Sequence, residues 1–247
     1  MLQQTVQLHV TEDVMLNMIG HVVGMTAIFV NITAVISAVS LTLRQRLIAG
    51  GVAGAWVGLA TALGAAGALA FSPEHPVPLV GVMFAVPLLT TAALWLASSN
   101  FRAALMAIPM SLLIGLNALR ILGWLFLALA AVGRLSGPFP FSAGLGDMIT
   151  GSLAIPLALR VARGEQASVA SWNVFGALDL FFAVGLGLTS SQGSPLQILH
   201  VGVGAEAMQH LPFSLVPTVL VPFYLITHGI IAAQLATRRK AQTLATA

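Results

Sequence analysis

Residues 111–132 read SLLIGLNALRILGWLFLALAAV, a run whose only charge is Arg120, with Asn117 one turn before it. About 20 apolar residues suffice for a helix to cross the roughly 30 Å hydrocarbon core of a bilayer. Two later runs repeat the pattern. Residues 144–159, GLGDMITGSLAIPLAL, carry Asp147, and residues 171–188, SWNVFGALDLFFAVGLGL, carry Asn173 and Asp179. A charge at mid-bilayer costs roughly 2.5–3.5 kcal/mol on insertion scales, so such groups face the interior of a bundle and take partners there. These stretches predict an all-α, polytopic membrane protein whose polar groups share one buried region.

The composition agrees. Of 247 residues, 58% are hydrophobic and 7% are charged, against about 25% charged in a soluble domain. So few charges do not cover a water-exposed surface, and the lipid bilayer is the expected partner of most of it. The net charge is only +3, and no cluster of Lys and Arg with interleaved aromatics offers a face for nucleic acid. The chain has no cysteine, which excludes disulfides, thiolate metal sites and cysteine nucleophiles. The opening MLQQTVQLHVTEDV lacks the basic n-region of a cleavable signal, and the first apolar run is too long for an h-region, so a retained helix is expected. With no linker or low-complexity segment, residues 1–247 read as one domain.

Seven runs are long enough to span: 14–43, 47–71, 77–97, 103–132, 143–162, 168–189 and 212–236. Arg44-Gln45-Arg46 parts the first two, and SPEHPVP at 72–78 is a Pro-rich turn. SSNFR separates the third from the fourth, which has Pro109 near its start. GRLSGPFPF at 133–141 cannot stay helical, and Ser142 is the expected N-cap of the fifth. The longest connection, residues 190–211, has an amphipathic middle that predicts a short interfacial or re-entrant helix, against which Gly202 and Gly204 weigh. With the N-terminus outside and the C-terminus cytoplasmic, Arg44, Arg46, Arg102, Arg160, Arg163, Arg238, Arg239 and Lys240 fall inside and only Arg134 outside. That asymmetry follows the positive-inside rule. The glycine-rich second run predicts close helix packing. No internal repeat supports a transporter built of two repeats, and monomer and oligomer are both compatible with the sequence.

At about 1.5 Å per residue, Arg120 lies about 18 Å and Asp179 about 15 Å from the outer end of their helices. The two are expected to pair at mid-membrane. Asp147, near 7 Å by the same measure, is expected to meet that pair from above. His228, at about 24 Å, follows Pro217 and Pro222 in a helix whose freed carbonyls suit a cavity wall. Asn173 enters from the cytoplasmic side and is expected near His228. Arg120, Asp147, Asp179, Asn173, His228 and Asn117 are therefore the candidate ligand-binding residues. The competing reading makes the same pairs purely structural, fixing helix register.

From residue 116 to 235 the chain resembles a family of small, uncharacterised bacterial integral membrane proteins. The matching elements are Arg120, Ala143-Gly144-Leu145-Gly146-Asp147, Trp172-Asn173 with Asp179-Leu180, Leu211-Pro212, Leu215-Val216-Pro217-Thr218, Val221-Pro222 and His228. The resemblance implies a multi-pass protein of the bacterial inner membrane and brings no activity with it. Gly144-Leu145-Gly146-Asp147 is also similar to the GxGD motif of intramembrane aspartyl proteases such as presenilins and prepilin peptidases. That likeness implies two carboxylates sharing a proton to activate water, with Asp179 as partner. Here, however, the partner follows GxGD instead of preceding it, and the Tyr-Asp pair and Pro-Ala-Leu motif of those enzymes are missing.

Three functions compete. In the first, the polar cluster binds or passes a small solute, an anion or a proton. The second is an aspartyl-type hydrolase using Asp147 and Asp179. In the third, a haem b is held by His21 and His228, whose depths differ by roughly 13 Å. A covalent retinal protein is excluded because a Schiff base needs a lysine within the membrane and the only lysine, Lys240, lies beyond the last span. The sequence names no cofactor.

Overall fold

The computed structural model describes residues 2–72, 79–165 and 167–246, and it is all-helical. Seven of its helical stretches are long and apolar enough to cross a membrane: Asp13–Ala38, Leu43–Ala65, Leu79–Ala97, Met110–Ala131, Phe139–Ala162, Val169–Ser190 and Val216–Leu244. They correspond one to one with the seven predicted runs. Their outward faces carry exposed Met18, Val22, Phe29, Leu89, Leu96, Leu153, Phe181 and Phe182, while Asn31, Asn117, Arg120, Thr150, Asn173, Asp179 and His228 are buried. Apolar side chains outside and polar ones inside suit a lipid environment, where the interior is where polar groups find partners.

Several boundaries differ from those expected, each for a local reason. Helix α1 (Leu2–Ala38) ends before the predicted residue 43. Thr42 caps α2 (Leu43–Ala65): its Oγ1 accepts from the Gln45 N–H, and the Gln45 side chain accepts from the Thr42 N–H. This capping box puts Arg44 and Arg46 inside the first turn of α2 and not in a loop. Residues 73–78 of the predicted Pro-rich turn lie outside the described residues. After α3 (Leu79–Ala97), Ser98 accepts from the Phe101 N–H and starts the short α4 (Ser99–Met106). The fourth span therefore opens afresh at Pro109, with α5 (Met110–Leu116), a 3-10 segment (Asn117–Gly123) and α6 (Trp124–Ala131) in succession.

Helix α7 (Phe139–Ala162) begins about one turn before the predicted residue 143, with Pro138 as its N-cap. Proline's fixed φ and missing N–H suit a helix start. Ser142 is not the cap, because its N–H already donates to the Pro138 carbonyl within the helix. The sixth span is α8 (Val169–Ser190). In the long connection that follows, Gly193, Gly202 and Gly204 have φ of +73°, +77° and +54°, a region L side chains avoid. A single 3-10 turn, Glu206–Gln209, stands where the interfacial helix was expected. The last span opens with a π-helical turn, Val216–Leu220, and continues as α9 (Val221–Thr246). Pro217 has no N–H to give the ladder at that turn.

Helix α7 is the centre of the packing: α5, the 3-10 segment, α6 and α8 all lie against it, while α9 contacts α3, α5 and α8. One apolar cluster (Ile108, Leu113, Ile114, Trp172, Ile231) fills one end of the bundle, and another (Leu16, Phe126, Leu129, Phe139, Met208) fills the other. The polar cluster sits between them. The expectation for the second span holds only in part. A Cβ on Gly64 would press on Leu211 and Ser214 at 2.9 Å, but one on Gly50, Gly51, Gly54 or Gly58 would meet nothing within 4 Å.

Candidate functional site

Four helices supply the site, each for a reason visible in its spacing. On α8, Trp172, Asn173, Gly176, Asp179 and Leu180 are buried, an i, i+1, i+4, i+7, i+8 pattern that defines one helix face. On α9, Tyr224 and His228 are four apart and both buried. The buried face of α7 is made of small residues, Ala143, Gly144, Gly146, Thr150, Gly151, Ala154 and Ala158, so the 3-10 segment comes close to it. A Cβ on Gly151 would collide with the Ile121 backbone nitrogen. This close approach brings Arg120, on the 3-10 segment, to the carboxylate of Asp147.

Arg120 is the hub. Its Nε donates to Asp147 Oδ1 at 2.6 Å and its Nη2 to Asp179 Oδ2 at 2.6 Å. Its Nη1 donates to the Gly176 carbonyl at 3.1 Å and to His228 Nε2 at 3.0 Å. Four of the five guanidinium N–H groups are thereby used. The Tyr224 ring lies 5.8 Å from the guanidinium carbon, within cation–π range. Because Nε2 of His228 accepts from a guanidinium that has only donors, the ring proton is on Nδ1, which donates to Asn173 Oδ1 at 2.8 Å. The Asn173 amide in turn donates to the His228 carbonyl at 3.1 Å. Trp172 covers the imidazole with ring centroids 5.3 Å apart.

Two glycines make room for this network. A Cβ on Gly146 would overlap the Asp179 carboxylate, and one on Gly176 would stand 2.7 Å from His228 Cε1. The three charged side chains are not equally covered: Arg120 is 1% exposed, Asp179 7% and Asp147 16%. Asp147 owes its exposure to two cavities that meet at it. One, of about 100 Å³, runs among Phe71, Phe84, Phe126, Phe139, Met208 and Gln209. The other, of about 60 Å³, lies towards α1 at Gly20, Val23 and Ala27.

The structure brings five of the six sequence-predicted residues into one network: Arg120, Asp147, Asp179, Asn173 and His228. Asn117 stands apart, donating to the Leu113 carbonyl at 2.9 Å and lying 3.5 Å from Thr227 Oγ1. Asp147 meets the pair as expected, and because α7 starts about a turn early it lies further from that end of its helix than predicted. Tyr224, Gly176 and Gln209 were not singled out in the sequence, and Trp172 and Gly146 entered only within the motifs of the two resemblances. The signal was present for Tyr224, which precedes His228 by one turn in the sequence, and for the glycines beside or one turn from the aspartates.

The two carboxylates do not face each other across a water site as a hydrolytic dyad would, since the Arg120 guanidinium bridges them. Both ring nitrogens of His228 are engaged, and His21 is exposed on α1 with Nδ1 at 2.9 Å from the Asn17 carbonyl, which leaves the haem pair without support. Among the described residues, no group of three or more His, Cys, Asp or Glu is arranged to hold a metal.

A domain of unknown function, DUF8737, matches residues 77–236. The chain belongs to that family. The match spans α3 to α9 and takes in every residue of the Arg120 network, leaving α1 and α2 outside it. No curated protein and no solved structure matches the chain.

Proposed function

We propose that this DUF8737 protein is a multi-pass protein of the bacterial inner membrane, N-terminus outside, that binds a small solute at the Arg120 cluster with exchange of a proton or small cation at Asp147. The eight-to-one distribution of cations supports the orientation. Contacts between distant segments support the alternation behind it. Arg134 bonds Asn17 at one end at 2.8 Å, and Gln234 bonds the Met106 and Ile108 carbonyls at the other at 3.1 and 2.8 Å.

One observation carries the site: a single guanidinium holds two carboxylates, and the imidazole beside it is neutral. With both carboxylates ionised the cluster has one negative charge in excess, and an uncompensated charge inside a membrane is unfavourable. A proton or a cation therefore accompanies it, and Asp147, the carboxylate on the cavities, is where that charge arrives and leaves. An anionic ligand is disfavoured, because Arg120 has already spent four donors on the protein. Straight-through proton conduction is disfavoured too, since arginine does not deprotonate in proteins and so interrupts the chain between His228 and Asp147.

Infrared spectroscopy of the purified protein at neutral pH tests this. The expected spectrum contains one protonated carboxyl per chain, or becomes sensitive to sodium or potassium, and Asp147→Asn changes that signal. A spectrum in which both carboxyls are ionised and indifferent to either cation overturns the reading.

A further inference from the structure

The larger cavity has a second polar group. Gln209 is 3% exposed and lines it. Its Oε1 accepts from the Phe71 N–H at 2.7 Å, and its Nε2 has no hydrogen-bond partner among the described residues. A buried amide N–H without a partner is unfavourable, by about 1–3 kcal/mol, and native proteins rarely keep one without reason. The Phe71 bond fixes which way the amide points, so the donor is the end left for an occupant.

The rest of the wall is apolar and largely aromatic: Phe71, Phe84, Phe126, Phe139 and Met208. Asp147, about 12 Å down α7 from Phe139, offers a carboxylate acceptor deep in the cavity, and Gln209 offers a donor beside Phe71. Phe84 on α3 and Ala183, Val184 and Gly187 on α8 are only partly buried, so this wall is approachable from the hydrocarbon side. Ligand sites commonly pair such apolar walls with a few convergent polar groups.

We propose that this cavity binds a membrane-soluble aromatic molecule with a hydrogen-bond donor at one end and an acceptor at the other, the chemistry of para-substituted phenols and quinols. The donor meets the Asp147 carboxylate, the ring lies among the phenylalanines, and the acceptor takes the free Gln209 N–H. At about 100 Å³ the cavity is smaller than the one of about 150 Å³ that admits benzene in an engineered core, so a single substituted ring enters only as the side chains that line it move apart. The inference deepens the proposed function and rests on Asp147 being its exposed group.

Binding of three probes to the full-length protein in lipid nanodiscs, read by saturation-transfer NMR, tests it. 4-Hydroxyacetophenone carries both groups, acetophenone lacks the donor and 4-ethylphenol lacks the acceptor. Each single-ended probe is expected to bind up to about tenfold more weakly, the equivalent of one hydrogen bond. Gln209→Glu keeps an acceptor for Phe71 but removes the free N–H, so it should abolish the preference for 4-hydroxyacetophenone over 4-ethylphenol. Ala183→Leu, on the partly buried wall, should weaken all three. Affinities that follow only lipid partitioning in the wild-type protein, or a ranking unmoved by Gln209→Glu, overturn the site. The infrared result on the cluster is read without any probe, so the two proposals fail separately.

Discussion

At the scale of single residues, Arg120 shows how one side chain satisfies groups from three helices. Its planar fork is what allows this, since a lysine offers a point charge and fewer directed donors. Removing the fork leaves two buried carboxylates facing each other, whereas removing one carboxylate leaves a matched pair. Arg120→Gln is therefore expected to destabilise the solubilised protein by about 3–5 kcal/mol, the range for an orphaned buried charge, and Asp179→Asn by clearly less. Thermal unfolding in detergent gives the order directly. If Asp179→Asn proves the more damaging, the excess negative charge assigned to this cluster is wrong. His228 offers a second check. Because Asn173 accepts its Nδ1 proton, Asn173→Leu strands that N–H and should cost about 1–3 kcal/mol, while the Arg120–Asp179 pair remains intact.

At the scale of elements, the positions of the spans were legible because about 20 apolar residues in a row leave no other structure open to the backbone in lipid. The pairing of Arg120 with Asp179 followed from depth alone, a one-dimensional quantity that a sequence provides. The 3-10 form of residues 117–123 was not legible. That segment lies close against the Gly151 backbone of another helix, and periodicity along one segment carries no information about a neighbour's lack of a Cβ. The start of α7 was misplaced because FPF after Gly137-Pro138 reads as loop when proline is taken only as a breaker. At a helix N-terminus it is a starter. The glycines make the same contrast testable. Gly146→Ala would force Asp179 off Arg120 and is expected to cost about 1–3 kcal/mol, the usual range for overpacking. Gly54→Ala meets nothing within 4 Å and should leave the unfolding temperature unchanged or slightly raised. Equal effects of the two substitutions would contradict the close α7–α8 approach on which the site depends.

At the scale of the whole molecule, the placement of the site turns on which way the bundle faces. Residues 64–72, 133–137 and 190–211 gather at one end: Gly64 packs on Leu211, Gly137 on Val201 and Gly193 on Phe71. The cavity beneath Phe71 and Gln209 belongs to that end, and Arg120 separates it from the half that holds His228 and Asn173. On the proposed orientation, with the N-terminus outside, the cavity would open in the outer half and the proposed exchange at Asp147 would communicate with the periplasmic side. The native chain has no cysteine, so single cysteines report without background. His200 and Ala241 are both exposed, His200 ahead of the last span and Ala241 at its C-terminal end. His200→Cys is expected to react with a membrane-impermeant maleimide on cells with a permeabilised outer membrane, and Ala241→Cys only after the inner membrane is breached. The reverse pattern would turn the cavity and its carboxylate towards the cytoplasm. Labelling of both from one side would mean that residues 216–244 do not cross at all, and the seven-span arrangement that sets every depth used for the Arg120 cluster would fall with it.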